Sequence, residues 1–200
     1  MLGPRQLIHS EHIVTFFDSD ASRAAAVAAF VLEARSRNEP VAVLATGTHW
    51  EAIVGAAGDR ANVFSCGLAD GTIAFRDAEV LLYEISRAGV PDRALFQAAI
   101  AELQRSLPQG RMHVYGELVD LLAARGEFDA ALRLEQLWNE VLARQPIALL
   151  CGYDATVFAP DRATARLGSV CECHTAIRMS PDDTLGNWLL TQAAVEVVNS

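Results

Sequence analysis

The sequence predicts an α/β domain, a three-layer sandwich built on a mostly parallel sheet of five or more strands. Three observations carry that prediction. Apolar runs of strand length alternate with longer stretches of helical period. The short runs are continuously apolar and not alternating, as strands covered on both faces must be. The repeated strand–helix–strand order is what parallel crossovers require. A mixed sheet with one antiparallel edge is the alternative these observations leave open.

The first strand is Ile13-Val14-Thr15-Phe16-Phe17, and Asp18-Ser19-Asp20 follow it. Asp20 or Ser22 is placed to cap a helix through about Arg37, whose alanine-rich body suits close packing on a sheet. Asn38-Glu39-Pro40 ends that helix, and Val41 to Ala45 reads as the second strand. Thr46-Gly47-Thr48 turns into a short helix through about Ala57. Asn62 to Cys66 reads as a weaker third strand, and residues 67–76 as irregular. Asp77 caps a helix closed by Gly89, and Pro91-Asp92 opens another to about Leu107. Met112 to Tyr115 is the fourth strand, ended by Gly116. Helices over Glu117–Ala124 and Glu127–Arg144 follow, separated by Gly126. Ile147 to Cys151 is the fifth strand. Helical stretches near Asp161–Cys173 and Asp182–Val198 complete a single domain, with its core over about 12–174 and a helical extension over about 181–199.

Composition narrows the function. The chain has 200 residues, of which 52% are hydrophobic and 20% charged, as in an ordinary globular domain. Its formal net charge is −9, so nucleic acid and anionic membrane surfaces are poor partners. All 16 cations are arginines. The absence of lysine removes Schiff-base chemistry, a lysine general base and a phosphate-gripping P-loop lysine. The longest apolar run, Ala24 to Leu32, has 9 residues and is too short to span a bilayer. With no leader-like opening and only four cysteines, the expected setting is the cytoplasm with reduced thiols.

Ligands of open parallel sheets bind beyond the carboxyl ends of the strands. Those ends carry Asp18 and Asp20, then Thr46, Thr48 and His49, then Tyr115 and Glu117, then Tyr153 and Asp154; His12 stands just before the first strand. Each has a plainer use as a helix cap or a solvated loop residue. Glu117, one step past a strand, sits where nucleotide hydrolases keep a metal-binding or water-activating carboxylate; it is equally placed to cap the next helix. Glu135, Trp138 and Asn139 share one helix face. Cys171-Glu172-Cys173-His174 looks like half a zinc site, but the remaining ligands would have to be Cys66 or Cys151, both read as strand residues. No metal and no cofactor is assigned. The turn after the first strand lacks glycine and presents carboxylates, which repel a triphosphate.

The ordered set His12-Ile13-Val14-Thr15-Phe16-Phe17-Asp18-Ser19-Asp20, Tyr115-Gly116-Glu117-Leu118-Val119-Asp120, Leu134-Glu135-Gln136-Leu137-Trp138-Asn139, Leu149-Leu150-Cys151-Gly152-Tyr153 and Cys171-x-x-His174 resembles the MEDS domain. This is the sensory domain named for methanogens, methylotrophs and the dichloromethane-responsive regulator. The resemblance implies a RecA/KaiC-like fold with a degenerate phosphate loop. It also implies a sensor of small organic compounds, not an enzyme. Gly152 departs from the alanine expected there. The implied ligand-binding set is His12, Phe17, Asp20, Tyr115, Glu117, Glu135, Asn139, Tyr153 and His174, gathered at the strand rim. The 200 residues contain no kinase, receiver or helix-turn-helix segment. Output is therefore expected through a partner such as a histidine kinase or transcription regulator, or through a homo-oligomer. The alternative is a vestigial nucleotide-binding protein that uses Glu117 with a metal.

Overall fold

A computed structural model describes residues 10–158, 164–179, 183–185, 187, 188 and 191. In chain order the elements are β1 (Glu11–Phe17), α1 (Asp20–Ser36), β2 (Val41–Ala45), α2 (Gly47–Ala56), α3 (Asn62–Asp70), β3 (Ile73–Asp77), α4 (Ala78–Glu84), β4 (Ser86–Arg87), β5 (Val90–Pro91), α5 (Arg93–Ser106), β6 (Met112–Gly116), α6 (Leu118–Ala124), α7 (Phe128–Leu142), β7 (Ile147–Asp154), α8 (Thr164–Glu172) and β8 (Ala176–Arg178). Of the last helix expected from the sequence, residues 184, 185, 187, 188 and 191 are helical, and the rest lies outside the described residues.

Six strands form one sheet in the order β3-β2-β6-β7-β1-β8, and every pairing is parallel. The fold class is thus α/β with a fully parallel sheet. Side chains alternate between its faces and build two cores. Val14, Phe16, Leu44, Val114, Leu149 and Tyr153 pack against the face that carries α4 to α8. Ile13, Phe17, Val43, Tyr115 and Leu150 pack against α1, α2 and α3 on the other.

The helix-start signals work as capping chemistry predicts, with one shift. Ser19, not Asp20 or Ser22, is the N-cap of α1; its hydroxyl accepts from Ser22 N at 3.2 Å. Asn38, at φ 58°, provides the left-handed turn that leads out of that helix. Thr46, Asp77 and Asp92 cap α2, α4 and α5.

Three expectations are corrected. Asn62–Cys66 is the first part of helix α3, not a strand. Phe64 and Gly67 are its buried residues, one helical turn apart. A Cβ at Gly67 would stand 2.5 Å from Ile73 Cγ1, so only glycine lets α3 lie directly on the neighbouring strand. That strand, β3, occupies part of the stretch expected to be irregular; as a partly exposed edge it carries Arg76 and Asp77 and lacks a continuous apolar run. Gly89 does not close α4. It follows Ala88 in a two-residue turn with both φ positive (49° and 79°), which joins the antiparallel β4–β5 hairpin.

Candidate functional site

The residues named from the sequence fall into two polar clusters. Asp20, Tyr115 and Glu117 lie at the carboxyl rim of the sheet. His12, Glu135, Asn139, Tyr153 and His174 lie under α7 and α8, on one face. Phe17 belongs to the opposite core, beside the rim. Five depressions on the surface are lined by other residues.

The rim cluster is organised by Arg23, a residue the sequence reading missed. Its guanidinium is only 4% exposed and lies 2.8 Å from Asp120 Oδ2 and 3.5 Å from Glu117 Oε2. Asp120 Oδ1 accepts from Asp154 N at 2.8 Å, at the end of β7. Glu117 occupies the N-cap position of α6 but makes no side-chain cap bond there. Its carboxylate turns away, accepting from Thr46 N, from His49 Nδ1 at 2.8 Å and from the Tyr115 hydroxyl at 3.3 Å. The other ring nitrogen of His49 lies 3.3 Å from Asp20 Oδ1. One network therefore ties together the ends of β2, β6 and β7 and the starts of α1, α2 and α6. Its charges are inside, and Asp20 and the partly exposed His49 form its outer edge.

The electrostatics follow from this geometry. The hydrogen bond to Glu117 holds the His49 imidazole above its ordinary pKa, against burial and Arg23. Burial pushes the Asp120 carboxyl up, with Arg23 and the Asp154 amide opposing it. Burial also drives the Tyr115 phenol well above its usual value, so it donates as a neutral hydroxyl. Gly152 lies behind this cluster. A Cβ there would stand 2.8 Å from Phe17 Cε2 and 2.9 Å from the Tyr115 hydroxyl. What approaches that backbone closely is the chain's own aromatic rings.

The second cluster is enclosed. His12, Glu135 and Cys151 are each at most 1% exposed, and the His174 side chain is fully covered. Parallel register sets His12 opposite Leu149 and Val14 opposite Cys151, which puts His12 and Cys151 on the same face. Helix α7 lowers Glu135 onto them. His12 Nε2 lies 3.1 Å from Glu135 Oε2 and 3.4 Å from Cys151 Sγ, and Cys151 Sγ lies 3.4 Å from Glu135 Oε2. Tyr153 donates its hydroxyl to Glu135 Oε1 at 2.7 Å. Burial pushes the Cys151 thiol up, and Glu135 adds to the effect. Burial also works to raise Glu135 itself, but hydrogen bonding from His12 and the neighbouring histidines win and hold it below the usual carboxyl value.

His12, Glu135, Cys151 and His174 each present a donor atom to a common point, all within 4.8 Å of one another, so a metal has a suitable set here. The half-site read from Cys171-x-Cys173-His174 contributes His174 alone; Cys171 packs at the margin of the core, and Cys66 is exposed. Cys151 was legible as a strand residue. Its alignment with His12 depended on pairing between strands far apart in sequence.

The chain matches none of the curated proteins compared with it. A family profile, described as the methanogen/methylotroph, DcmR sensory domain, matches residues 11–175. That span takes in five of the six strands of the sheet and ends just before β8, and it holds both polar clusters from His12 to His174. The chain belongs to the MEDS family of sensory domains.

Proposed function

We propose that this domain senses a small organic molecule at the carboxyl rim of the sheet and signals through a partner protein. One observation carries the choice of place: the buried Arg23–Glu117–Asp120 network reaches the surface through His49 and Asp20. A polar molecule that bonds to His49 or Asp20 competes with bonds that hold six element ends together. Such competition gives two arrangements with different ligand affinity, which is what a sensor needs. The family membership supports the sensory role. Output passes to a histidine kinase or transcription regulator, or between copies of the chain. Among the described residues no helix is long and apolar enough to cross a membrane.

The nucleotide-binding alternative has less support. At the N-terminal end of α1, Asp18 accepts from Leu185 N at 2.7 Å, and Asp183 Oδ1 accepts from Asp18 N at 3.1 Å. Asp20 stands in the first turn of the helix. Three carboxylates in this place oppose a triphosphate. That supports a RecA/KaiC-like scaffold whose phosphate loop has degenerated.

The test is thermal unfolding of the full chain against a panel of alcohols, amines, carboxylates and halogenated compounds of one to four carbons, with MgATP alongside. A compound that binds the folded state raises Tm saturably, by about 2–4 °C per kcal/mol for a chain of this size. The His49→Gln variant loses most of that shift while unfolding cooperatively. A shift from MgATP alone, or an organic response unaltered in His49→Gln, overturns the assignment.

A further inference from the structure

We propose that His12, Glu135, Cys151 and His174 form a tetrahedral binding site for a divalent transition metal of the zinc class. The donor atoms belong to two strands, a helix and the connection before β8, and they converge where His12, Glu135 and Cys151 are at most 1% exposed. Tetrahedral zinc, with bonds of about 2.0–2.3 Å, sets its ligand atoms about 3.3–3.8 Å apart. The separations include 3.1 Å for His12 Nε2–Glu135 Oε2, 3.4 Å from Cys151 Sγ to each of those atoms and 3.5 Å for His174 Nε2–Glu135 Oε1, and all four donor atoms lie within 4.8 Å of one another. Small side-chain adjustments suffice to admit an ion.

An ion-pair cluster alone leaves a defect. His174 Nε2 is buried without a hydrogen-bond partner. Its Nδ1–H donates to Val170 O at 2.7 Å, so in the neutral ring Nε2 carries the lone pair and aims it at Glu135. A carboxylate does not satisfy a lone pair; a cation does. His12 is arranged in the same way. Its Nδ1 donates to Asn139 Oδ1 at 2.9 Å, and Asn139 is itself oriented by donating Nδ2 to Cys173 O at 3.0 Å. Both imidazoles thus have the outer nitrogen fixed by a carbonyl oxygen and the inner one free to ligate, the support that metal-bound histidines need. The Tyr153 hydroxyl on Glu135 Oε1 orients the carboxylate.

The charge also closes. One thiolate and one carboxylate with two neutral imidazoles neutralise a divalent ion in a buried site. Binding makes two metal–nitrogen bonds, one metal–sulfur bond and one metal–oxygen bond. It breaks the Cys151 S–H bond, and because both imidazoles ligate through unprotonated nitrogens, every proton displaced from the four donor atoms passes to solvent. The ion enters under Cys173, His174 and Thr175, which are partly or fully exposed as residues. Once bound, it pins β8, which among the described residues pairs with β1 alone, to the centre of the molecule. The site owes nothing to the rim reading: it lies on one face of the sheet and uses none of Arg23, His49, Glu117 or Asp120.

The test is titration of the metal-stripped full chain with Co(II), followed by zinc. Stoichiometric binding is expected, with a thiolate-to-cobalt charge-transfer band, visible bands of tetrahedral intensity and complete displacement by zinc. Zinc raises Tm over a chelator control. It also slows amide exchange across residues 172–178 at least tenfold. Cys151→Ser loses the charge-transfer band, whereas the double variant Cys171→Ser/Cys173→Ser keeps it. The proposal fails if wild-type protein gives no saturable cobalt spectrum or no zinc-dependent rise in Tm. It fails equally if the double variant loses the band, a result that stands even where Cys151→Ser does not fold. Rim variants such as His49→Gln leave the cobalt spectrum unchanged, so failure here is separable from failure of the sensory assignment.

Discussion

Arg23 is held by two carboxylates in a place where water cannot replace either. Asp120 is the nearer, at 2.8 Å, and both partners are buried. Removing one charge from a buried pair leaves the other uncompensated and costs about 3–5 kcal/mol. In Asp120→Asn the amide oxygen still accepts from Asp154 N, so the loss measures charge and not a missing backbone bond. Urea unfolding should show a fall of about 3 kcal/mol, and a change below about 1 kcal/mol would mean that Glu117 alone supports Arg23. Glu117 was legible because it follows a buried strand directly. Arg23 was not, although a signal exists: positions 23, 27, 31 and 34 recur at the helical period, and Val27, Val31 and Ala34 are fully buried. An arginine on that stripe has to find anionic partners inside the molecule.

Elements were legible wherever a continuous apolar run met a clear capping residue. The strands near 13–17, 41–45, 112–115 and 147–151 are of this kind, and β1, β2, β6 and β7 occupy them. They are also the four central strands of the sheet. The misread segment, 62–76, lies at the edge, where partial exposure removes the apolar signature and a short helix carries only two buried positions. Its logic lies in Gly67, which lets α3 rest on Ile73. Gly67→Ala forces the helix off the strand or Ile73 out of its rotamer. Overpacking of this kind costs about 1–3 kcal/mol, more than the helix propensity gained from alanine. A lower urea midpoint is expected, with faster amide exchange confined to α3 and β3. A stabilised variant would show that the edge repacks freely.

Across the whole molecule, two histidines oppose each other in their response to pH. His49 is held above its ordinary value by its hydrogen bond to Glu117, with Asp20 and Arg23 as its other charged neighbours. The folded state therefore binds its proton more tightly than the unfolded chain does. That contribution is complete below about pH 6.5 and is lost as pH rises through the raised folded value. His113 behaves in reverse. Burial pushes it down; Glu39, 2.6 Å away, works against that shift, while Arg111 and Arg37 reinforce it. Its contribution is complete above about pH 6.5 and is lost as pH falls through the lowered folded value. In chelator, His174, also pushed down by burial, adds to the acid side. Asp70 and Asp92, both held below their ordinary values by hydrogen bonds, act only in stronger acid. Unfolding free energy measured in urea should therefore peak near pH 6.5–7 and decline on both sides. The two limbs belong to different residues, His49 in the first turn of α2 and His113 in β6, so they separate by mutation. His49→Gln flattens the alkaline limb and leaves the acid one, and His113→Gln does the opposite. An alkaline decline between about pH 6.5 and 8, below the ordinary range of the buried thiols and phenols, that survives His49→Gln would place the responsible proton outside the rim network.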